Sequence, residues 1–551
     1  MRSFTKVRQR LKSRRVIRAG SQRPLTAFAA ATIISGLLLN SSALAQQPPA
    51  VPQLGHEAIL KARAIVVGEP VPRLSAPLSL TSPQDRRQAI DAYWGPGLST
   101  ADKLTLFDQF WQYADAKYAA FQGVNVDWAA LRYQYRREIA AGVSRGRFAG
   151  IMNHLSVALR DSHTQAFDVP VNIVSVPQPG VPLLALSAWT YDTAGVCETA
   201  LEDGSALVYA AIPGHPMGLE PGDRILGYDG RPYRDLYRQL LDEDVPLWPL
   251  WWGSSPSSFD HSFVMAAAMN WPFFQTMDIA KHGTGKVVHV PTSNMPGIIW
   301  YGFCSEQLPV AGVPTPPDFY NGEFVSSGIV AGTNFGYIYV WGWLGTAEQD
   351  FAQAVNQLTQ VQHVDGLIID FRFNNGGFID APLLGIAELA SHPTPTIGYD
   401  ERKPGGGHFA MTDLYPPSQF LLDFASDGSR VKTSYYGPIA VLVGPGAVSA
   451  GDLGAFWTTF LPRARTFGKS TSAAFTIPTQ DSLGTSLNLN PDWYTRVGEA
   501  NAWAVSAPFQ YLTHREFPVD QHVWLKPDDV AVGRDTVVEA ALSWLQKQRY
   551  K

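Results

Sequence analysis

Cysteine is almost absent: the 551 residues include only Cys197 and Cys304. Two cysteines cannot build a disulfide-dense scaffold, and no Cys/His spacing resembles a zinc site. Charged residues are sparse at 17%, against 45% hydrophobic, which describes an ordinary globular chain and excludes a disordered one. Positive charge is scarcer than the total suggests. Nine of the 43 basic residues precede residue 24, leaving 34 bases against 48 acids. A chain that acidic, without a basic run, is a poor nucleic-acid binder. Long apolar runs are also missing, apart from Leu25 to Leu39, which is short for a membrane span.

That run follows the nine basic residues and precedes Ser42-Ala43-Leu44-Ala45, a small-residue site. The pattern is that of an export signal cleaved after Ala45, with no permanent membrane anchor. Export to a periplasmic or extracellular space makes a Cys197–Cys304 disulfide the expected state, two buried thiols being the alternative. The length predicts several domains: a signal at 1–45, a Pro-rich linker at 46–84, and a helical domain at 85–175. A β-rich domain at 176–320 and an α/β core at 321–551 complete the chain.

The helical domain ends in Asp161-Ser162-His163-Thr164. His163 there either stabilises a helix C-terminus or is a catalytic base. In the β-rich domain, Gly218 to Gly230 reads GL-x-x-GD-x-IL-x-x-DG, a spacing similar to that of PDZ domains, which accept extended peptides by β-augmentation. Trp248, Trp251, Trp252, Phe259, Phe263, Trp271, Phe273 and Phe274 crowd the stretch after it. They are expected to form an aromatic surface or lid, or else a small satellite core. From residue 324 strands and helices alternate. Gly366 to Asp370 is a buried strand leading into Asn374-Asn375-Gly376-Gly377. Ile439 to Val443 is another, turning through Gly444-Pro445-Gly446 into Ser449 and a helix. A serine at such a junction either caps the helix or is a nucleophile lifted clear of the sheet, with helix amides beside it for an oxyanion.

The order DSHT, PDZ-like module, IIDFRFNNGG and GPGAVSAGD resembles the tricorn-core and C-terminal processing family of serine peptidases. The closing Pro527-Asp528 and Gly533-Arg534-Asp535 fit as well. The resemblance covers about residues 86 to 545 and implies a crotonase-like (ClpP-like) α/β core. It implies no cofactor or metal, a peptide or unfolded-protein substrate, and leaves homo-oligomerisation open. Ala474 stands where the processing branch has its lysine base, with Lys469 earlier, so the histidine of the tricorn branch is the matching base. Ser449 is then the nucleophile, His163 the base, and Ser162 a group that orients or tunes the imidazole. Amides of Gly376 or Gly377, with Ala450, would form the oxyanion hole. The family's orienting glutamate falls at Gln521, leaving Asp520 and Glu516 as candidate acids. A peptidase is the first expectation, with a non-catalytic binding protein or an ester hydrolase as alternatives.

Overall fold

The computed structural model describes residues 79–548, except 188–189, 192–193, 251, 300, 302, 315, 318–321, 424–434, 478–491 and 506–508. The expected export signal, the linker up to residue 78 and Trp251 lie outside the described residues. The description concerns the unit that begins at Gln47.

Helices Pro83–Trp94, Thr100–Lys117, Trp128–Ala140 and Arg145–Val157 form the N-terminal region. Each begins at a polar cap: Ser82, Ser99, Asp127 and Ser144 accept the backbone N–H three residues on. Such a cap contributes about 1 kcal/mol. The last helix is buried from Phe148 to Val157, and it delivers the chain to Asp161–Thr164 inside the protein. Strand Gln165–Asp168 follows and pairs antiparallel with Trp493–Arg496, tying this region to the far end of the chain.

The β-rich region is an antiparallel sheet in the order Val287–Pro291, Thr276–Ala280, Arg224–Tyr228, Ala206–Ala211, Val196–Ala200. Helix Tyr233–Asp242 packs on it. In the glycine-rich motif, the buried Asp223 accepts the amides of Glu220 at 3.0 Å and His282 at 2.8 Å and pairs with Lys281. Its carboxylate thereby ties two turns together. Cys197 and Cys304 are disulfide-bonded, with Cα atoms 5.2 Å apart. The expected aromatic surface is not there. Trp248, Trp252, Phe263, Trp271, Phe273 and Phe274 are all buried, and all but Trp248 belong to one hydrophobic cluster with the sheet. The alternating apolar residues of helix Pro256–Met265 find a core to enter, and burial of such side chains stabilises by about 1.5–3 kcal/mol each.

The α/β region is built on a sheet ordered Val325–Ile329, Phe335–Val340, Gly366–Asp370, Ile439–Val443, Ala464–Gly468, Gln521–His522. The first pair is antiparallel and the others are parallel. The unbroken apolar runs of its central strands suit a parallel sheet covered on both faces. Helices Ala347–Asn356, Asp380–Ala387, Ala450–Thr458 and Thr536–Gln548 belong to this region. Arg372, wholly buried, bonds Asp370 at 2.7 Å and Asp535 at 2.9 Å. This explains why D-x-R and the closing GRD occur together: they are two ends of one buried ion cluster. Removing one partner of such a cluster strands a charge, at about 3–5 kcal/mol. The cluster pins the end of strand Gly366–Asp370 where the glycine loop starts.

Candidate active site

Past the ends of the parallel strands, Phe373–Asn374 pairs parallel with Gly446–Ala447. The Val448 amide donates to Asn374 O at 2.9 Å. This small extension presses the glycine loop against the turn that carries Ser449. Ser449 sits at φ 61°, ψ −120°, a strained conformation for a residue with a Cβ. The surrounding bonds hold it there. Between Ile439 and Thr458 it is the one residue that is not buried, so the strain turns a single side chain out of an otherwise closed strand–turn–helix unit. Its amide donates to Asp452 Oδ2 at 2.8 Å. The same buried carboxylate accepts the amides of Ala473 at 2.7 Å and Ala474 at 3.0 Å. Burial pushes Asp452 up to about 7, against the hydrogen bonds that favour its charge. Capping position and candidate nucleophile are thus the same residue, in a capping box whose Asp452 carboxylate takes the Ser449 amide.

The glycine loop is fixed by its backbone. Trp343 N donates to Gly376 O at 2.8 Å and Phe378 N to Trp343 O at 2.9 Å. Gly376 has φ 88°, and a Cβ there would lie 2.9 Å from the Ser449 Cβ. A Cβ on Gly377 would meet the Trp343 carbonyl oxygen at 2.3 Å. Only glycine permits both approaches. The Gly376 amide donates to Asn374 Oδ1 at 3.1 Å, which narrows the expected oxyanion donors. Among the described residues, neither the Gly377 amide nor that of Ala450 at the helix start meets an acceptor, and these two are the candidates for that role.

His163 is buried. Its Nδ1 lies 3.2 Å from Thr476 Oγ1, and Thr476 Oγ1 donates to Asp161 Oδ2 at 2.8 Å. Burial first, then the charge of Arg496, holds the imidazole well below its usual value, only partly offset by a hydrogen bond with the Thr476 backbone. Thr476 is two residues beyond Ala474. One short segment, residues 473–476, therefore bonds the Asp452 brace of Ser449 at one end and His163 at the other. Neither Thr476, Asp161 nor Asp452 was anticipated as part of the site. Asp452 had a readable signal, an acid three residues after the helix-capping serine; Thr476 had none.

Other expectations need correction. The Ser162 hydroxyl is buried and meets no partner among the described residues, so Thr476 rather than Ser162 contacts the imidazole. Asp520 accepts from Thr466, at 2.8 Å from its amide and 3.0 Å from its hydroxyl, at the edge of the sheet. Glu516 accepts the Ser257 amide at 2.8 Å, at the start of helix Pro256–Met265. Neither carboxylate bonds His163: Asp520 is taken up by Thr466 of strand Ala464–Gly468 and Glu516 by the start of helix Pro256–Met265. Lys469 donates to Ala200 O and lies 4.8 Å from the Trp524 ring centre. It faces the β-rich region, and burial lowers it to about 8.

Residues 334–504 match the family model of peptidase family S41. No curated relative matches the chain by sequence. Among solved structures, mature CPAF is 13% identical, covering 82% of this chain and 96% of that one, with a TM-score of 0.52. Mature CPAF complexed with lactacystin is 13% identical over 82% of this chain and 98% of that one, at 0.50. The photosystem II D1 C-terminal processing protease is 16% identical over 78% and 94%, at 0.37. At such identities the likeness to mature CPAF shows a shared mixed α/β fold.

Proposed function

Because residues 334–504 carry a serine peptidase domain of family S41, we propose that the chain is an exported peptidase. It hydrolyses peptide bonds in unfolded or partly folded proteins through Ser449 and His163. The observation that carries this reading is the strained, outward-turned Ser449 set against the glycine loop. His163 takes the Ser449 proton as the hydroxyl attacks the substrate carbonyl, and returns it to the leaving amine. The Gly377 and Ala450 amides receive the developing oxyanion; loss of one such donor costs about 3 kcal/mol in the transition state. Water then releases the acyl group by the same proton path. Phe378, 62% exposed directly after the loop, supports an extended, partly apolar substrate. Periplasmic or extracellular residence is supported by the leader and by the disulfide.

The core is read as crotonase-like and the antiparallel region as PDZ-like. In a PDZ domain an extended peptide adds to an exposed sheet edge. Here helix Pro256–Met265 packs against both the edge strand Val196–Ala200 and helix Tyr233–Asp242, and it covers that place. The amides of Ser254 and Ser255, at its start, donate to Ser472 O at 2.6 and 2.9 Å. Those contacts favour gating or bracing of the 470–476 segment over peptide capture.

Labelling with a fluorophosphonate probe tests the proposal. Wild-type protein is expected to label at a single site and Ser449→Ala not at all. An unlabelled wild type, or equal labelling of the variant, would refute it.

A further inference from the structure

We infer that Asp161, acting through the hydroxyl of Thr476, is the positioning acid of His163 and stands in for the carboxylate expected near residue 520. The inference rests on the reading of His163 as the base. Three donors converge on Asp161: the His163 amide at 3.1 Å, the Thr164 hydroxyl at 2.9 Å and the Thr476 hydroxyl at 2.8 Å. In its ionised form this carboxyl can only accept, and it then receives all three protons. Burial pushes Asp161 up, but those bonds and the charge of Arg496 oppose the push.

The Thr476 hydroxyl has a single proton, and that proton goes to Asp161. Toward the imidazole it can then only accept, so Nδ1 of His163 must be the nitrogen that carries hydrogen. A neutral imidazole has one N–H, which leaves the lone pair on Nε2. That is the tautomer required to take a proton from a serine hydroxyl. The relay, with the hydrogen bond between the imidazole and the Thr476 backbone, thus sets the protonation pattern of the base without a carboxylate touching it.

The site is built for this arrangement. Asp161, His163, Thr164 and Thr476 are all no more than 1% exposed, so water cannot substitute for a missing member. Gly498 lies against the relay: a Cβ there would come within 2.5 Å of Thr476 Oγ1 and 2.6 Å of Asp161 Oδ2. Its amide donates to Thr164 Oγ1 at 3.0 Å, which fixes the other side of Asp161. Strand Thr476–Ile477 pairs with Asn501 and Ala500, so the threonine is held by a separate antiparallel sheet, in the order Met411–Tyr415, Ile397–Arg402, Ala500–Ala504, Thr476–Ile477, rather than by a free loop.

Thr476→Val keeps the shape and removes the hydroxyl. It is expected to lower the rate of fluorophosphonate labelling and kcat by about 10²-fold, within the range of acid–base catalysis, with KM held. Thr476→Ser should restore most of the loss, because the hydroxyl and not the methyl is needed. Asp161→Asn reverses the direction of the relay: an amide donates to Thr476, the hydroxyl donates to Nδ1, and Nε2 is left carrying hydrogen. A loss of about 10²–10⁴-fold follows from that wrong tautomer. Where Thr476→Val fails to fold, Asp161→Asn and Thr476→Ser carry the same test. Labelling of Thr476→Val within a few-fold of wild type, or a serine variant as impaired as the valine one, would overturn the inference. If His163→Ala labels normally, the base assignment itself is wrong, which is a distinguishable outcome.

Discussion

The two halves of the candidate site are made in different ways. The Ser449 half is mostly backbone: a parallel strand pair, two glycines that admit no Cβ, and a helix start whose amides are aimed by the turn, braced by the Asp452 carboxylate. Its pieces lie within residues 373–377 and 444–452. The His163 half is side chains, namely Asp161, Thr164 and Thr476, buried together from segments 315 residues apart in sequence. A nucleophile can be placed by local geometry, because what it needs is exposure and direction. A base needs a defined proton, and only polar side chains with a fixed direction of donation supply one.

If that division is right, the two halves fail differently. The largest effect after loss of the nucleophile is expected for His163→Ala, which should lower kcat/KM by about 10²–10⁴-fold, while Lys469→Ala retains most activity. The reverse ranking would move the base to Lys469 and dissolve the comparison. Gly376→Ala is next. Its methyl would meet the Ser449 Cβ at 2.9 Å from a backbone at φ 88°, so a folded variant with roughly 10²-fold lower kcat is expected. Circular dichroism alongside kinetics checks it; unchanged kcat would show that the loop does not confine Ser449. The smallest effect concerns pH. The neutral imidazole is the active form, and burial with the Arg496 charge disfavours the protonated one. Activity should therefore hold as pH falls through 6.5, the ordinary histidine value, and decline only at lower pH. An acid limb centred at or above 6.5 in kcat/KM that persists in Asp452→Asn would contradict the buried, neutral His163; a limb near 7 that this variant loses belongs to Asp452.

Much of the Ser449 half was legible in the sequence. The apolar run Ile439–Val443, the Gly-Pro-Gly turn and the helical spacing of Leu453, Phe456, Trp457 and Phe460 describe the observed strand, turn and helix, except that the helix ends at Thr458, short of Phe460. Asn374-Asn375-Gly376-Gly377 was readable for the same reason: its glycines answer a local steric demand. The His163 half was legible only as far as DSHT. Family correspondence points to residues near 520 for the orienting group, whereas Asp520 bonds strand residue Thr466 and Glu516 bonds Ser257 at a helix start. Thr476 carries no signal in a single sequence, since a threonine in a short strand is ordinary. The aromatic stretch at 245–275 left two readings open, a surface or lid and a small core. The core reading holds: Trp252, Phe263 and Trp271 join one cluster with the sheet.

By itself the sequence determined the alternation of elements, the turn at Ser449 and the glycines beside it, because these depend on dihedral preferences and on periodic apolar residues within about twenty positions. The ion cluster of Asp370, Arg372 and Asp535 and the relay from Asp161 to His163 were decided by the tertiary structure alone. Their members are distant along the chain, and a buried polar group finds its partner only once the interior that excludes water has formed around both.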